Sequence, residues 1–302
     1  MRILHLDGGN ELRGGQWQLL RPLEGLSKAG VESTLLARKG APLFRLAHER
    51  GWRVEPLGLG RAISLAPRHD LLHAHDGHGH TVGSIVSAGK LVVSRRVAFA
   101  VRSRLKYGRA RHYLAVSQFV KRVLMAGGVA EEKISVVYDG VPLLDASTGT
   151  QLMAPASDDP KKGSGLARDA GLAAGEHVRF SNDLVRDLPD AAILLYITES
   201  EGLGSGALLA MSAGVPVIAS NVGGLPEIVA HRETGLLIGP LIGPLIDPLI
   251  GPDDIAGAIR LLRSDPDYAR RLGANGRKRV MENFTVDHMV RRTMEIYRRV
   301  LS

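Results

Sequence analysis

Short apolar runs alternate with amphipathic stretches almost from end to end of the chain. That alternation predicts parallel strands buried on both faces and joined by helices, an α/β fold class. The runs that read as strands in the first half are Arg2 to Leu6, Glu32 to Leu36, Arg53 to Leu57, Leu71 to His75, Leu91 to Ser94, His112 to Val116 and Ile134 to Val137. After Tyr138 the segment DGVPLLDASTGT loses periodicity and gathers Gly, Pro, Ser and Thr, which predicts a linker between two domains. The rhythm then restarts, with strands at Gln151 to Ala154, Val178 to Ser181, Ala192 to Ile197, Val215 to Ser220 and Leu236 to Ile238. Three helices close the chain, at Asp253 to Arg263, Asp267 to Asn283 and Val286 to Leu301. One near-repeat, IGPLIGPLIDPLIGP from Ile238 to Pro252, breaks the pattern. Its closely spaced prolines forbid a regular helix and spoil a central strand, so an extended surface loop is expected.

A length of 302 residues with 44% hydrophobic content suits two cores rather than one. The chain has no cysteine, which removes disulfides, thiolate metal sites and a cysteine nucleophile, and fits a reducing compartment. The N-terminal MRILHLDGGN is not a charged leader followed by an apolar core, and no apolar run reaches membrane-spanning length, so a cytoplasmic protein is expected. The net charge of +8 is uneven: residues 1 to 145 hold 22 Lys/Arg against 12 Asp/Glu, and residues 146 to 302 hold 17 against 19. The excess concentrates in Arg95, Arg96, Arg102, Arg104, Lys106, Arg109 and Arg111, a stretch without an acid. Two readings stay open for it: a surface for an anionic membrane or anionic ligand, or a solvated basic face. Nucleic acid is not expected, because only Phe99 and Tyr107 fall among these arginines to stack on bases.

The segment richest in chemical signal is Glu199 to Glu227, ESEGLGSGALLAMSAGVPVIASNVGGLPE. A strand end runs into an acid, then Gly202, Leu203, Gly204, Ser205 and Gly206, then an Ala/Leu helix. Backbone N–H groups at a helix start attract phosphate, and glycines let a ligand approach the main chain, so a nucleotide-linked substrate is the natural candidate. Near the N-terminus, Asp7-Gly8-Gly9-Asn10 to Arg13-Gly14-Gly15 follows the first strand and opens a helix, where a doubly wound sheet puts its ligand crevice. Neither the dinucleotide fingerprint nor the P-loop spacing is present there. Lys162, in Asp158-Asp159-Pro160-Lys161-Lys162-Gly163, is placed either to neutralise a leaving diphosphate or to cap a solvated turn. His69, His73, His75, His78 and His80 crowd one strand end. No acid or cysteine completes a ligand set of recognisable spacing, so no metal is expected. His75 is instead the candidate to contact a sugar hydroxyl or to act as acid/base, and His73 reads as half-buried and structural. Asp265-Pro266-Asp267 has D-x-D spacing but precedes a helix and is read as a cap.

In this order the pieces resemble the retaining glycosyltransferases of the GT-B fold, glycosyltransferase family 4, also called group 1. RILHLDGGNELRGG looks like the family's first strand and glycine loop, HAHDGHGH like its histidine strand end, and LAVSQFVKRVL with ISVVYDGV like its domain-closing segments. EGLGSGALLAM, GVPVIASNVGGLPEIV and ETGLLI are similar to its donor-site core, and SDPDYARRLGANGRKRVMENFTVD to its C-terminal helices. The resemblance implies two Rossmann-like domains facing across a cleft: residues 1–143 on the acceptor side, and 144–285 holding the donor. The helix at about 286–302 would pack back on the first domain. It also implies sugar transfer with retention from a nucleotide-sugar to a glycan, lipid or small-molecule acceptor, with no cofactor and no metal. Glu201 matches the first acid of the family's E-x7-E motif, Lys162 its phosphate lysine, and Gly14 and Gly15 its diphosphate-facing loop. Arg95 is a further candidate for substrate binding.

Three departures stand out. The second acid of the E-x7-E motif, which holds the ribose, is Leu209 here, and Ser157 occupies the usual arginine position five residues before Lys162. Between Gly163 and Val178 there is room for one helix where the family has helix, strand and helix, so the second domain is expected to be abbreviated. The expected activity is therefore glycosyl transfer. The alternatives are a degenerate GT-B protein that binds a nucleotide or glycan or partners an active enzyme, and a nucleotide-sugar epimerase.

Overall fold

The computed structural model describes residues 1–12, 14–239 and 251–302; Arg13 and the body of the Pro-Leu-Ile repeat lie outside the described residues. The chain divides into two compact units, Met1–Gly140 together with Val286–Ser302, and Val141–Thr285.

The first unit is built on seven strands, β1 (Arg2–Asp7), β2 (Glu32–Ala37), β3 (Val54–Pro56), β4 (Leu71–Ala74), β5 (Leu91–Arg95), β6 (His112–Ala115) and β7 (Ile134–Val136). They form one sheet in the order β3-β2-β1-β4-β5-β6-β7, with every neighbouring pair parallel. The order reverses direction between β1 and β4, which is where a doubly wound sheet opens a crevice beyond its strand ends. On one face Ile3, Leu71, Val92 and Leu114 pack against Met289, Met294, Ile296 and Tyr297 of the terminal helix Val286–Leu301. Toward the carboxyl ends of the same strands the side chains turn polar. On β1 Ile3 gives way to His5, on β4 Leu71 to His73, and on β5 Val92 to Ser94.

The second unit holds β8 (Gln151–Pro155), β9 (Val178–Ser181), β10 (Ala191–Tyr196), β11 (Val217–Ser220) and β12 (Leu236–Ile238). The sheet is again all parallel, in the order β12-β11-β10-β8-β9, so its switch point lies between β8 and β10. Leu152, Ile193, Leu195 and Ile218 pack with Ile255, Ile259 and Leu262 of the helix Pro252–Ser264. A single helix, Ser164–Ala173, connects the Lys162 turn to β9. β11 starts at Val217 rather than at Val215, because Pro216 has no N–H to give the ladder and contributes only its carbonyl, which accepts from Leu194. Asp265 caps the helix Pro266–Asn283 by accepting from the Tyr268 N–H at 2.9 Å, as expected of an acid beside proline.

Candidate functional site

The two loops at the switch point of the second unit carry the acid and the lysine. After β8 a short 3₁₀ turn, Pro160–Lys162, is capped by the Asp159 carboxylate, which accepts from the Lys161 N–H at 3.0 Å. Gly163 ends that turn with φ +63°, and a Cβ there would sit 2.7 Å from the Ile197 carbonyl oxygen just past β10, so only glycine lets the two loops meet. The loops are stitched together: the Glu199 N–H and the Thr198 hydroxyl donate to the Lys161 carbonyl at 2.9 and 3.1 Å. The Ser220 hydroxyl at the end of β11 accepts from the Thr198 N–H at 2.9 Å.

This framework sets Lys162 Nζ 2.9 Å from Glu201 Oε2. The Tyr196 hydroxyl, at the end of β10, donates to the same oxygen at 3.0 Å, and the Gly202 N–H donates to Oε1 at 3.0 Å. Both carboxylate oxygens are thus held before any ligand arrives, while Lys162 keeps 41% of its side-chain surface exposed. Gly202, Leu203 and Gly204 are buried and lead into the helix Ser205–Ser212, which begins at Ser205 and Gly206 with no side-chain cap. A cavity of about 180 Å³ opens beside Lys162 at the ends of β8 and β10, lined by Pro155, Ser157, Ser164, Tyr196 and Thr198 among others. Ser157 is a turn residue whose hydroxyl accepts from the Asp159 N–H, so no arginine charge reaches this cavity from that position. Leu209 is buried on the helix Ser205–Ser212.

The remaining candidates lie in the first unit. Gly14 and Gly15 open the helix Gly14–Lys28, and a Cβ on Gly15 would meet no atom within 4 Å. Arg95 stands over the Tyr107 ring and donates to the Phe99 carbonyl. The basic stretch is mixed in character. Arg96 is paired with Asp139 at 3.2 Å, and Lys106 donates to the Gly77 carbonyl at 2.7 Å. Arg102, Arg104, Arg109 and Arg111 are exposed. Phe99 and Leu105, among those exposed arginines, are themselves 70% and 74% exposed.

His75 is buried, and burial with the neighbouring His73, His5 and Arg96 holds its pKa well below the usual imidazole value, so the ring is neutral at pH 7. In that state it accepts or donates a hydrogen bond but carries no proton to give as an acid. His73 is fully buried rather than half-buried, with Tyr297 OH and Ser94 Oγ on its two nitrogens. Sequence reading gave no role to the rest of this neighbourhood, His5, Gln18, Asp76 and Asp139, and took Asp7 only as the start of the glycine loop. Asp76 accepts from the Gly8 and Gly79 N–H groups at 3.0 and 2.7 Å, tying the first glycine loop to the helix after β4. Asp7 is buried, and burial followed by repulsion from Asp76 raises its carboxyl to about 6. Tyr196 was missed too, although an aromatic closing an apolar run two residues before an acid-glycine loop is a visible signal.

Residues 158–279, which contain both switch-point loops of the second unit, match the family described as glycosyl transferases group 1. The chain is 38% identical over 117 residues to the alpha-maltose-1-phosphate synthase of Mycolicibacterium smegmatis, covering 38% of this chain and 30% of that protein. It is 34% identical over 145 residues to the GDP-mannose-dependent alpha-(1-6)-phosphatidylinositol monomannoside mannosyltransferase of Mycobacterium tuberculosis, covering 44% and 35%. The matched stretches thus span about a third of these curated relatives. Over 98% of this chain and 99% of the other, the fold matches the crystal structure of Anabaena Alr3699/HepE in complex with UDP, with TM-score 0.85 and 17% identity. Sucrose-phosphate synthase from Thermosynechococcus elongatus follows with TM-score 0.78 and 19% identity, covering 99% of each chain. The fold is that of the GT-B glycosyltransferases. The stretch that matches the group 1 glycosyltransferases lies within the second unit and covers less than half of the chain. Among the described residues no helix is long and apolar enough to cross a membrane.

Proposed function

We propose that the protein is a glycosyltransferase that takes a sugar from a nucleotide-sugar, with retention, and passes it to a glycan or lipid-linked acceptor. The observation that carries this reading is the Lys162–Glu201 pair, fixed by Tyr196 and Gly202 at the switch point of the second unit, inside the segment that matches the family. In the proposed step Lys162 releases Glu201 and meets the charge that develops on the departing diphosphate. Glu201, freed from its ion pair but still held by Tyr196 and Gly202, contacts the donor sugar. A preorganised cation supplies what a divalent ion supplies elsewhere, so the step runs without metal. UDP and UDP-glucose complexes of a similarly folded protein favour a nucleoside diphosphate as leaving group. The mannosyltransferase relative, named for a phosphatidylinositol monomannoside, favours a lipid-linked acceptor. His75, neutral and buried, has its Nε2 against His5 and keeps Nδ1 to meet a substrate hydroxyl. Exposed Phe99 and Leu105 among Arg102, Arg104, Arg109 and Arg111 suit peripheral contact with an anionic membrane, at the cytoplasmic face.

The test is donor hydrolysis. Purified protein offered a panel of nucleotide sugars without acceptor should release nucleoside diphosphate slowly with one of them. Glu201→Ala and Lys162→Ala should each lower that release by about tenfold or more, and chelator should leave it unchanged. If no donor is turned over and none shifts the melting temperature, the enzyme reading fails. If one shifts the melting temperature without turnover, Leu209 and the neutral Ser157 have left a binding protein. Membrane contact is checked by sedimentation with liposomes: binding should rise with anionic lipid and fall in Phe99→Ser and Leu105→Ser, and insensitivity to lipid charge would refute it.

A further inference from the structure

We propose that His5, His73 and His75 form a transition-metal site of the zinc class, buried in the first unit and separate from the Lys162–Glu201 pair. The three rings come from adjacent parallel strands in register. His5 of β1 lies opposite His73 of β4, and His75 follows two residues later on the same face. One nitrogen from each lies within 4.8 Å of the other two, and His5 Nδ1 and His75 Nε2 are already 3.0 Å apart. Imidazoles on one tetrahedral ion at bonds of about 2.0 Å hold their nitrogens about 3.3 Å apart, so small ring rotations complete the set.

Three further features match a metal site rather than a packed polar core. First, the outer nitrogens of His5 and His73 have the partners that ligating histidines require. The His5 Nε2 meets Ser33 Oγ at 3.2 Å, and His73 meets Ser94 Oγ at 2.8 Å and Tyr297 OH, so it keeps one hydroxyl partner whichever nitrogen ligates. Second, the rings are only 1%, 3% and 8% exposed, and burial suppresses their protonation, so neutral lone pairs are ready at pH 7. Third, they border a cavity of about 20 Å³, enough for a single water as fourth ligand. His75 Nδ1 and both polar atoms of the Gln18 amide, which also lines that cavity, are buried without a hydrogen-bond partner. Ligation through His75 Nε2 would put the ring proton on Nδ1 and make that atom a donor, while the Gln18 amide suits a metal-bound water. Arg96, which also lines the cavity, is paired with Asp139 at 3.2 Å, and this offsets part of its repulsion of a positive ion. The histidine run alone could not reveal this set, because the third imidazole comes from a strand 68 residues away from His73.

The full untagged chain, stripped with chelator and dialysed, is titrated with Co²⁺ and then Zn²⁺. One Co²⁺ per chain should bind with the intense visible absorption of a low-coordinate imidazole site, be displaced by Zn²⁺, and raise the melting temperature. His5→Gln and His73→Gln should weaken binding by more than the roughly 10- to 100-fold that outer-shell changes cost, while His78→Gln, an exposed imidazole outside the cluster, changes nothing. Absence of stoichiometric binding, the pale spectrum of a six-coordinate oxygen site, or equal loss in His78→Gln would overturn the site. Where His5→Gln or His73→Gln fails to fold, X-ray absorption of the zinc-loaded unmodified chain decides: three imidazoles support the assignment and fewer refute it. Donor hydrolysis is read separately, so loss of metal binding and loss of transfer are distinguishable.

Discussion

His5, His73 and His75 are imidazoles kept from their protons, and that has a consequence for stability. Burial lowers all three, His5 to about 3. Between about pH 6.5 and that value the unfolded chain binds protons that the folded chain refuses, so their contribution is fully present above pH 6.5 and is lost as pH falls. Asp7 works in the opposite sense. Its carboxyl, raised to about 6, takes up a proton in the folded state first, so its contribution is largest in acid and is lost as pH rises through 6. Three histidines against one aspartate leave the first sign in control. The metal-free protein should melt at progressively lower temperature from about pH 7.5 to pH 5, each uncompensated histidine contributing at most about 1.4 kcal/mol per pH unit. His5→Gln should flatten the slope; an unchanged slope would show that these rings do not control it. None of this was legible in the sequence, where His5 is an isolated histidine in an apolar run and its partners are set by strand register.

At the scale of elements, the strands were legible because each is a short apolar run between Gly, Pro and charged breakers, and the switch-point loops because acid, lysine and glycines cluster there. The junction between those loops was not. In the sequence Gly163 is only the residue after Lys162, yet its φ of +63° and its approach to the Ile197 carbonyl set where Lys162 stands relative to Glu201. Gly163→Ala combines left-handed strain with a backbone clash and should destabilise the second unit by about 1–3 kcal/mol, while also lowering donor hydrolysis because Lys162 is displaced. Gly175 provides the contrast: its φ is +77° but no atom lies within 4 Å of a Cβ there. Gly175→Ala should cost about 1 kcal/mol and leave hydrolysis intact. Thermal melting and the hydrolysis assay together check both variants, and equal effects at the two glycines would remove the special role of the Gly163 contact.

At the scale of the whole molecule, the first unit is discontinuous in sequence: its sheet is finished within residues 1–140, but one face is covered by the helix Val286–Leu301. That helix buries Met289, Val290, Met294, Ile296, Tyr297 and Val300 against Ile3, Leu71, Val92 and Leu114, and Tyr297 also holds His73. Buried side chains of this size are worth about 1.5–3 kcal/mol each, so removing six of them takes away about 9–18 kcal/mol, as much as the whole stability of a domain. The second unit, Val141–Thr285, has its own sheet and core and loses nothing from these contacts. A chain ended after Thr285 should therefore lose the melting transition and protease resistance of residues 1–140 while the second unit keeps its own. Retention of both transitions would mean that the first sheet does not need the returning helix. Two transitions are expected only in the intact chain, because the sixteen residues of the helix Val286–Leu301 complete the core of the seven-stranded sheet.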